Sequence, residues 1–206
     1  MQFLHELIVP EPGFPFKLFI FEGRDGNYRR DRHWHRSVEI FAVCSGELGF
    51  YIDDRLWHLS AGEFLIVNSN EVHSVDSPLP NETIVLQIPL ELFEDYFTGE
   101  QFIWFTHEPG KRDERFMELM RELYQLYEEK TCGYDMKMMS VFYDILYYLV
   151  KDYRLPETGQ DYVRKNKTLD RLSGITSYMK ENYTGNLTLE EVARIFDYSP
   201  NYLSRM

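Results

Sequence analysis

Two cysteines in 206 residues, Cys44 and Cys132, are too few for a disulfide framework, and nothing in the sequence supports a bond between them. They read as reduced thiols, which suits a cytoplasmic protein. No apolar run approaches the roughly 18 residues that a membrane span needs. The N-terminal stretch MQFLHELIVPEPG lacks the basic start and long apolar segment of a secretion signal, so no membrane partner is expected. Basic charge is scarce too: 22 Lys and Arg stand against 34 Asp and Glu, a net charge of −12. That argues against general nucleic-acid binding. Internal repeats and low-complexity tracts are absent, as are a phosphate-cradling glycine loop and a strained turn presenting a nucleophile.

The charge deficit is uneven. From Asp161 to Met206 there are seven Lys/Arg against six Asp/Glu, so this tail carries +1 and residues 1–160 carry −13. The tail is the part that a phosphate backbone would not repel.

Hydrophobic residues make up 44% and aromatics 16%, ample for a packed core. Over the first hundred residues they fall in short runs rich in β-branched and aromatic side chains: KLFIF (17–21), EIFAVC (39–44), LGFYID (48–53), RLWHL (55–59), EFLIV (63–67) and TIVLQI (83–88). Turn formers separate them at Ser45-Gly46, Asp53-Asp54, Ala61-Gly62, Asn68-Ser69-Asn70 and Pro78–Asn81. Asp53-Asp54 has the length of a two-residue hairpin turn. Many short strands at close spacing predict an antiparallel barrel of the jelly-roll type.

After residue 113 the period changes to that of helices. ERFMELMRELYQLYEEK sets Phe116, Met120, Leu123 and Tyr127 on one face. YDMKMMSVFYDILYYLVKDY does the same with Met139, Phe142, Tyr143, Leu146, Leu149 and Val150. This second stripe is wide enough both to pack on the first helix and to form a dimer interface, with Met139, Phe142, Leu146 and Val150 as the candidate contacts. LPETGQDYVRKNK (155–167) then reads as a polar linker. The division is 1–112 for the barrel, 113–157 for a helical dimerisation segment and 158–206 for the tail.

The tail holds three helical signals. Leu169, Leu172, Ile175 and Met179 share one face of TLDRLSGITSYMKENY. Thr188-Leu-Glu-Glu191 is a capping box opening LEEVARIF, and Ser199-Pro200 is an N-cap followed by proline at the first helical position. Ala193 would let two short helices approach closely, over a shared core of Leu189, Val192, Phe196 and Leu203. Asn201, Ser204 and Arg205, at i, i+3 and i+4, would face solvent, with an arginine able to fork onto a guanine or a phosphate.

This stretch, LTLEEVARIFDYSPNYLSRM, resembles the first helix-turn-helix of AraC-family transcription regulators, and the segment before it resembles the helix that leads into that motif. The resemblance covers about residues 168–206. It implies a DNA-binding unit with two such motifs, of which this sequence stops inside the first recognition helix. The chain is accordingly expected to be a truncated part of a full-length, operator-binding protein.

HWHRSVE (33–39) and the later NEVHS hold His33, His35, Glu39 and His73. Positions 33, 35, 39, 41 and 43 differ by even numbers, so in one strand they would point the same way, into the barrel. His73 must come from another strand. Three imidazoles and a carboxylate suit zinc, iron, nickel or manganese, but they equally line a pocket for a polar ligand. Trp57 shares parity with Leu59 and should also face inward, either stacking on a ring or simply filling the core. Trp34, His58 and Trp104 receive no role.

HWHRSVEIFAVCSGELGFYIDDRLWHLSAGEFLIVNSNEVHS resembles the cupin-type effector domain of the same family and the general cupin pattern. In cupin enzymes the two histidines, the glutamate and the distant histidine are metal ligands. The sequence departs from that pattern at Asn68, Asn70 and Ser77, where proline, glycine and asparagine are expected.

The resemblance implies a β + α protein: an N-terminal cupin-like antiparallel β-barrel (jelly roll), then helices and a partial helix-turn-helix. It implies a ligand-responsive bacterial regulator, not an enzyme, that binds a small polar effector, sugars being the class the family suggests. Expected effector contacts are His33, His35, Glu39, Phe41, Trp57 and His73. Expected DNA contacts are Asn201, Ser204 and Arg205. A homodimer and no cofactor are expected, and His33, His35, Glu39 and His73 are the ligands if a metal is present. The alternatives are a metal-dependent cupin enzyme, an isomerase or dioxygenase using those four residues, and a pure dimerisation module with a filled barrel.

Overall fold

The structure is a computed structural model, and it describes residues 4–23, 28–52, 55–97, 103–106, 112–155, 171–179, 181–185 and 187–205. The chain forms two compact units, 1–159 and 160–206. The first opens with β1 (Leu4–His5), β2 (Lys17–Glu22), β3 (Tyr28–Trp34) and β4 (Ser37–Ile52). It continues with β5 (Arg55–Ser60), β6 (Phe64–Val67), β7 (His73–Ser77) and β8 (Asn81–Pro89). These eight strands form one curled sheet in which all pairings are antiparallel except β1 with β3.

The two runs EIFAVC and LGFYID are a single strand, β4. The turn expected at Ser45-Gly46 is a β-bulge instead: the pairing of β4 with β8 shifts register between Val43 and Ser45. Gly46 takes φ +74°, and a Cβ there would strike the Pro80 carbonyl, so only glycine fits. The bulge bends β4 so that it serves two layers. Its first part pairs with β6 and β8, and its last residues pair with β5 and β7. Ile52 and Arg55 pair as the ends of a tight hairpin would; Asp53 and Asp54 themselves lie outside the described residues.

The layer β2–β8–β4–β6 is covered on both faces, which is why its strands read as nearly continuous apolar runs. On one face Leu18, Ile40, Ala42, Ile84, Leu86 and Ile88 join a core shared with the helices. On the other face Phe21, Phe41, Val43 and Val85 meet Leu48, Phe50, Leu59 and Val75 from the second layer, inside the barrel.

A 3₁₀ turn (Leu90–Tyr96) leads toward α1 (Glu114–Glu129) and α2 (Tyr134–Tyr148), the latter continued by a π turn (Leu149–Tyr153). Asp113 caps α1 by accepting from the Phe116 amide, and its other oxygen accepts from the Tyr153 hydroxyl at 2.6 Å. One carboxylate thus ties the start of α1 to the end of α2. Both helices share the barrel's outer core and lie in the same compact unit as the barrel.

The face that α2 buries is Met138, Val141, Phe142, Ile145, Leu146 and Leu149, displaced from the stripe read in the sequence. Phe142 is fully buried, its ring 4.3 Å from that of Phe16. Of the four candidate dimer contacts, Phe142 and Leu146 are therefore committed to the chain's own core, while Met139 and Val150 are half-buried. Tyr143, expected on the packed stripe, is exposed, as are Met136 and Tyr147. Cys44 and Cys132 are free thiols.

In the second unit, residues 171–179 are helical (α3), followed by α4 (Leu189–Ile195) and α5 (Pro200–Leu203). The caps are as expected: Thr188 accepts from the Glu191 amide and Ser199 from the Tyr202 amide, with Pro200 at the first helical position. Val192 and Ala193 are buried, Phe196 packs against Tyr178, and Asp197 takes the left-handed turn. Leu189, expected in the shared core, is exposed, as is Met179 on the apolar face of α3. Leu169 lies outside the described residues.

Candidate functional site

β7 lies between β3 and the end of β4, so His73 faces His33 in register on one side and Ile52 on the other. His35 sits in the short corner between β3 and β4, and Glu39 follows on β4. The four side chains thus come from three strands and a corner, not from one strand with a single partner. The chain turns between Trp34 and Ser37, so the even spacing from 33 to 43 does not run along a single strand. It holds for Glu39, Phe41 and Val43; barrel closure supplies the rest.

The cluster is buried: His33 6%, His35 1%, Glu39 3% and His73 0% exposed. One ligand atom from each lies within 4.8 Å of all the others. Glu39 Oε2 is 3.0 Å from His35 Nε2 and 3.1 Å from His73 Nε2. Each ring's Nδ1 faces a main-chain carbonyl: His33 toward Asp31 (2.9 Å), His35 toward Ser37 (3.1 Å) and His73 toward Glu71 (2.9 Å). An N–H must donate there, so Nε2 is the nitrogen aimed into the cluster. A bare imidazole lone pair facing a carboxylate oxygen is repulsive. Between Nε2 and Glu39 there must therefore be a proton or a cation.

Burial alone would raise the Glu39 pKa. The charge and hydrogen bond of His35, and then those of His73, outweigh it and hold the carboxyl well below its usual range. His33 moves the other way. Burial, and then repulsion from His73, lower its pKa to about 4. The cluster therefore pairs an ionised carboxylate with a neutral imidazole.

The donor set fits a divalent transition metal. Ligands about 2.0–2.2 Å from a tetrahedral zinc lie roughly 3.3–3.6 Å from one another, so side chains now within 4.8 Å of each other would draw in by about an ångström to hold one. The carbonyl-bonded Nδ1 atoms supply the outer support such ligands need. The three departures from the cupin pattern leave these four residues intact. Asn70 adopts φ +65°, a left-handed conformation that asparagine tolerates in place of glycine. Asn68 clamps the main chain of Phe105 from both sides, accepting from its amide (2.7 Å) and donating to its carbonyl (3.1 Å). Ser77 donates to the Leu79 carbonyl.

Beside the cluster lies a cavity of about 200 Å³. Its polar lining comprises Glu6, Lys17, Arg30, His33, Glu39 and Gln87, and its apolar walls include Phe19, Phe21, Tyr28 and Phe41. Of the six expected effector contacts, His33, Glu39 and Phe41 line it. His35 and His73 stand behind Glu39 within the cluster. Trp57 packs partly on the barrel interior opposite Phe50, with the Arg55 guanidinium 3.8 Å from its ring centroid, and is not in the lining.

Lys17, Gln87, Arg30 and Glu6 were not singled out from the sequence. Two of them left a signal: Lys17 shares parity with Phe19 and Phe21, and Gln87 interrupts the apolar residues of TIVLQI, in step with Val85. In the second unit Asn201, Ser204 and Arg205 are exposed, and the Ser204 hydroxyl donates to the Asn201 carbonyl at 3.1 Å.

A family model described as the AraC-like ligand binding domain matches residues 15–146. Among solved structures, an RmlC-like cupin from Shewanella frigidimarina is similar at 21% identity and TM-score 0.34, over 36% of this chain and 67% of that one. The EutQ protein of Clostridium difficile is similar at 20% identity and TM-score 0.31, over 36% and 56%. A conserved protein of unknown function from Streptococcus pyogenes is similar at 13% identity and TM-score 0.35, over 37% and 66%. The chain thus spans 56% to 67% of the length of these structures. No curated protein matches.

Proposed function

The chain belongs to the AraC-like ligand-binding family, and from that premise we propose that its barrel binds a small polar effector and that its second unit reads operator DNA under effector control. The observation that carries this reading is the cavity: about 200 Å³, aromatic-walled, with ionised Glu39 and neutral His33 at its polar side. That volume lies below the roughly 300–1,000 Å³ of pockets for drug-sized ligands, which favours an effector the size of a single sugar. The effector would act by its difference in affinity for two placements of the DNA-reading unit, and by no more than that difference. Native mass spectrometry of the purified protein tests the reading. An organic mass that leaves on mild activation and is lost in a Glu39→Leu variant supports it. A protein that carries no such mass, and whose melting temperature no polar metabolite raises, sinks it.

A second reading, a metal-dependent enzyme, is favoured by the His33, His35, Glu39 and His73 donor set. A divalent metal held by those four would supply Lewis-acid charge beside the cavity. Gln87 would orient Glu39 through its 2.7 Å hydrogen bond, and the aromatic walls would exclude water. The same native spectrum registers a stoichiometric metal. The regulator reading expects well under one equivalent.

For DNA, the exposed Arg205 is the proposed base or phosphate contact, with Asn201 and Ser204 beside it. In the operator-binding form of the protein, Arg205→Ala should cost roughly 1–3 kcal/mol of specific binding and relax preference at one base pair. Fluorescence anisotropy against operator and scrambled DNA measures this. Unchanged affinity takes the residue off the interface. The protein is further proposed to be a homodimer joined through α2. Because Phe142 and Leu146 are internal, the contact would fall to Tyr143 and Tyr147, with Met139 and Val150 at its edge.

A further inference from the structure

The pairing of three strands lays out the cavity wall in rows. Lys17 on β2 is in register with Gln87 on β8, and Gln87 with Glu39 on β4. One step along, Phe19, Val85 and Phe41 are likewise in register. Partners directly opposite in a pair share a face, so a polar row, Lys17–Gln87–Glu39, runs beside an apolar row, Phe19–Val85–Phe41. All six line the cavity. With strands about 4.8 Å apart, the two ends of the polar row stand two strand steps from each other.

The two ends differ in sign, and their partners differ too. Glu39 is held by His35, His73 and Gln87. Arg30 is paired with Glu6 at 2.5 Å. Lys17 alone of the charged cavity residues forms no ion pair among the described residues; its ammonium lies 5.2 Å from the Phe19 ring. Gln87 is fixed in orientation, because the Glu39 carboxylate can only accept, so the Gln87 nitrogen faces it. That leaves Gln87 Oε1 turned away from Glu39, buried and without a hydrogen-bond partner. A buried acceptor without a donor costs stability until something supplies one. His33 Nε2 faces Glu6 Oε2 at 3.4 Å, so it is engaged with that carboxylate and is not a free acceptor. The cavity thus offers an unpaired cation at one end of a row and hydrogen-bond acceptors along the rest.

We infer that the effector is a small hydroxy acid of the sugar-acid class, with its carboxylate at Lys17 and its hydroxyls donating to Gln87 Oε1 and toward Glu39. This deepens the effector reading and rests on it. A neutral sugar would satisfy the acceptors and leave Lys17 unpaired. A simple carboxylate would do the reverse. The apolar row beneath offers the C–H face of a carbon chain or ring a surface to lie on.

The test is a matched panel measured by thermal shift and calorimetry: D-glucuronate against D-glucose, D-galacturonate against D-galactose, and D-gluconate against D-glucitol. At least one acid should bind roughly ten-fold or more tightly than its neutral partner, the scale of one charge-assisted hydrogen bond. Lys17→Met should remove the difference by weakening the acid alone, and Lys17→Arg should retain it. Gln87→Leu should weaken acid and neutral partner alike. The ligand-free melting temperatures of the Lys17 variants serve as the check on folding. Every acid binding no more tightly than its neutral partner, a preference that survives Lys17→Met, or no acid binding at all overturns the inference. In the first two cases the barrel remains an effector site, and in the third the native spectrum decides that separately.

Discussion

A Phe142→Asp chain should fail to show a cooperative unfolding transition for the unit 1–159. Phe142 is fully buried, its ring 4.3 Å from Phe16, in the one cluster that joins both helices to the outer face of β2, β4 and β8. Truncating such a phenylalanine to alanine costs about 3–5 kcal/mol, and a buried carboxylate with no partner adds several more. Against a total stability of roughly 5–15 kcal/mol, the native state loses. Circular dichroism melting and size-exclusion chromatography read this as a missing transition and an expanded or aggregated species. A normal transition would mean that α2 does not pack as described. The substitutions that probe a dimer are instead Tyr143→Glu and Tyr147→Glu. Both side chains are 59% exposed, so the melt should barely move while a dimer shifts to monomer. An elution volume unchanged by the double substitution would remove this face as the interface.

The second large effect is on acid stability. The unfolded state titrates its histidine near pH 6.5, whereas folded His33 titrates near 4. Between those values the unfolded chain binds the extra proton, so stability must fall as pH falls through this window. The loss is on the order of 2 kcal/mol by pH 5 and about 3 kcal/mol by pH 4, and there is none above pH 7. Glu39 cannot cause it. A carboxylate held below its usual range gives stability that is present above the unfolded value and lost only on descent through the folded one, at lower pH. Denaturant midpoints of chelator-treated protein from pH 7.5 to 4.5 should therefore slope downward before ordinary carboxylates titrate. His33→Asn keeps an N–H for the Asp31 carbonyl without titrating, and should flatten that slope. An unchanged slope in the variant would assign the acid sensitivity to another group.

Several features were written in local sequence. The short apolar runs of β4 and β8, the helical period of α1, and the caps Thr188 and Ser199 each involve residues a few positions apart, where backbone geometry alone relates them. His33, His35, Glu39 and His73 could be nominated by residue type. What brings them together is different in kind. His33 and His73 are partners across β3 and β7, while Glu39 comes from β4, whose first part pairs with β8 and whose last residues pair with β7. The polar row Lys17–Gln87–Glu39 joins positions as far as 70 residues apart through two strand registers. A single sequence does not state register, since sliding one strand by one residue reverses every side chain in it.

The buried face of α2 shows the same division. YDMKMMSVFYDILYYLV is apolar on nearly all sides, so its period fixes a helix and leaves open which side turns inward. The barrel decides by receiving Phe142 beside Phe16, which leaves Tyr143 and Tyr147 outside. Local pattern determined that there would be strands, helices and caps. Which side chains meet was decided by closure of the sheet and by the surface it offered to the helices, because only long-range pairing fixes the neighbours of a residue.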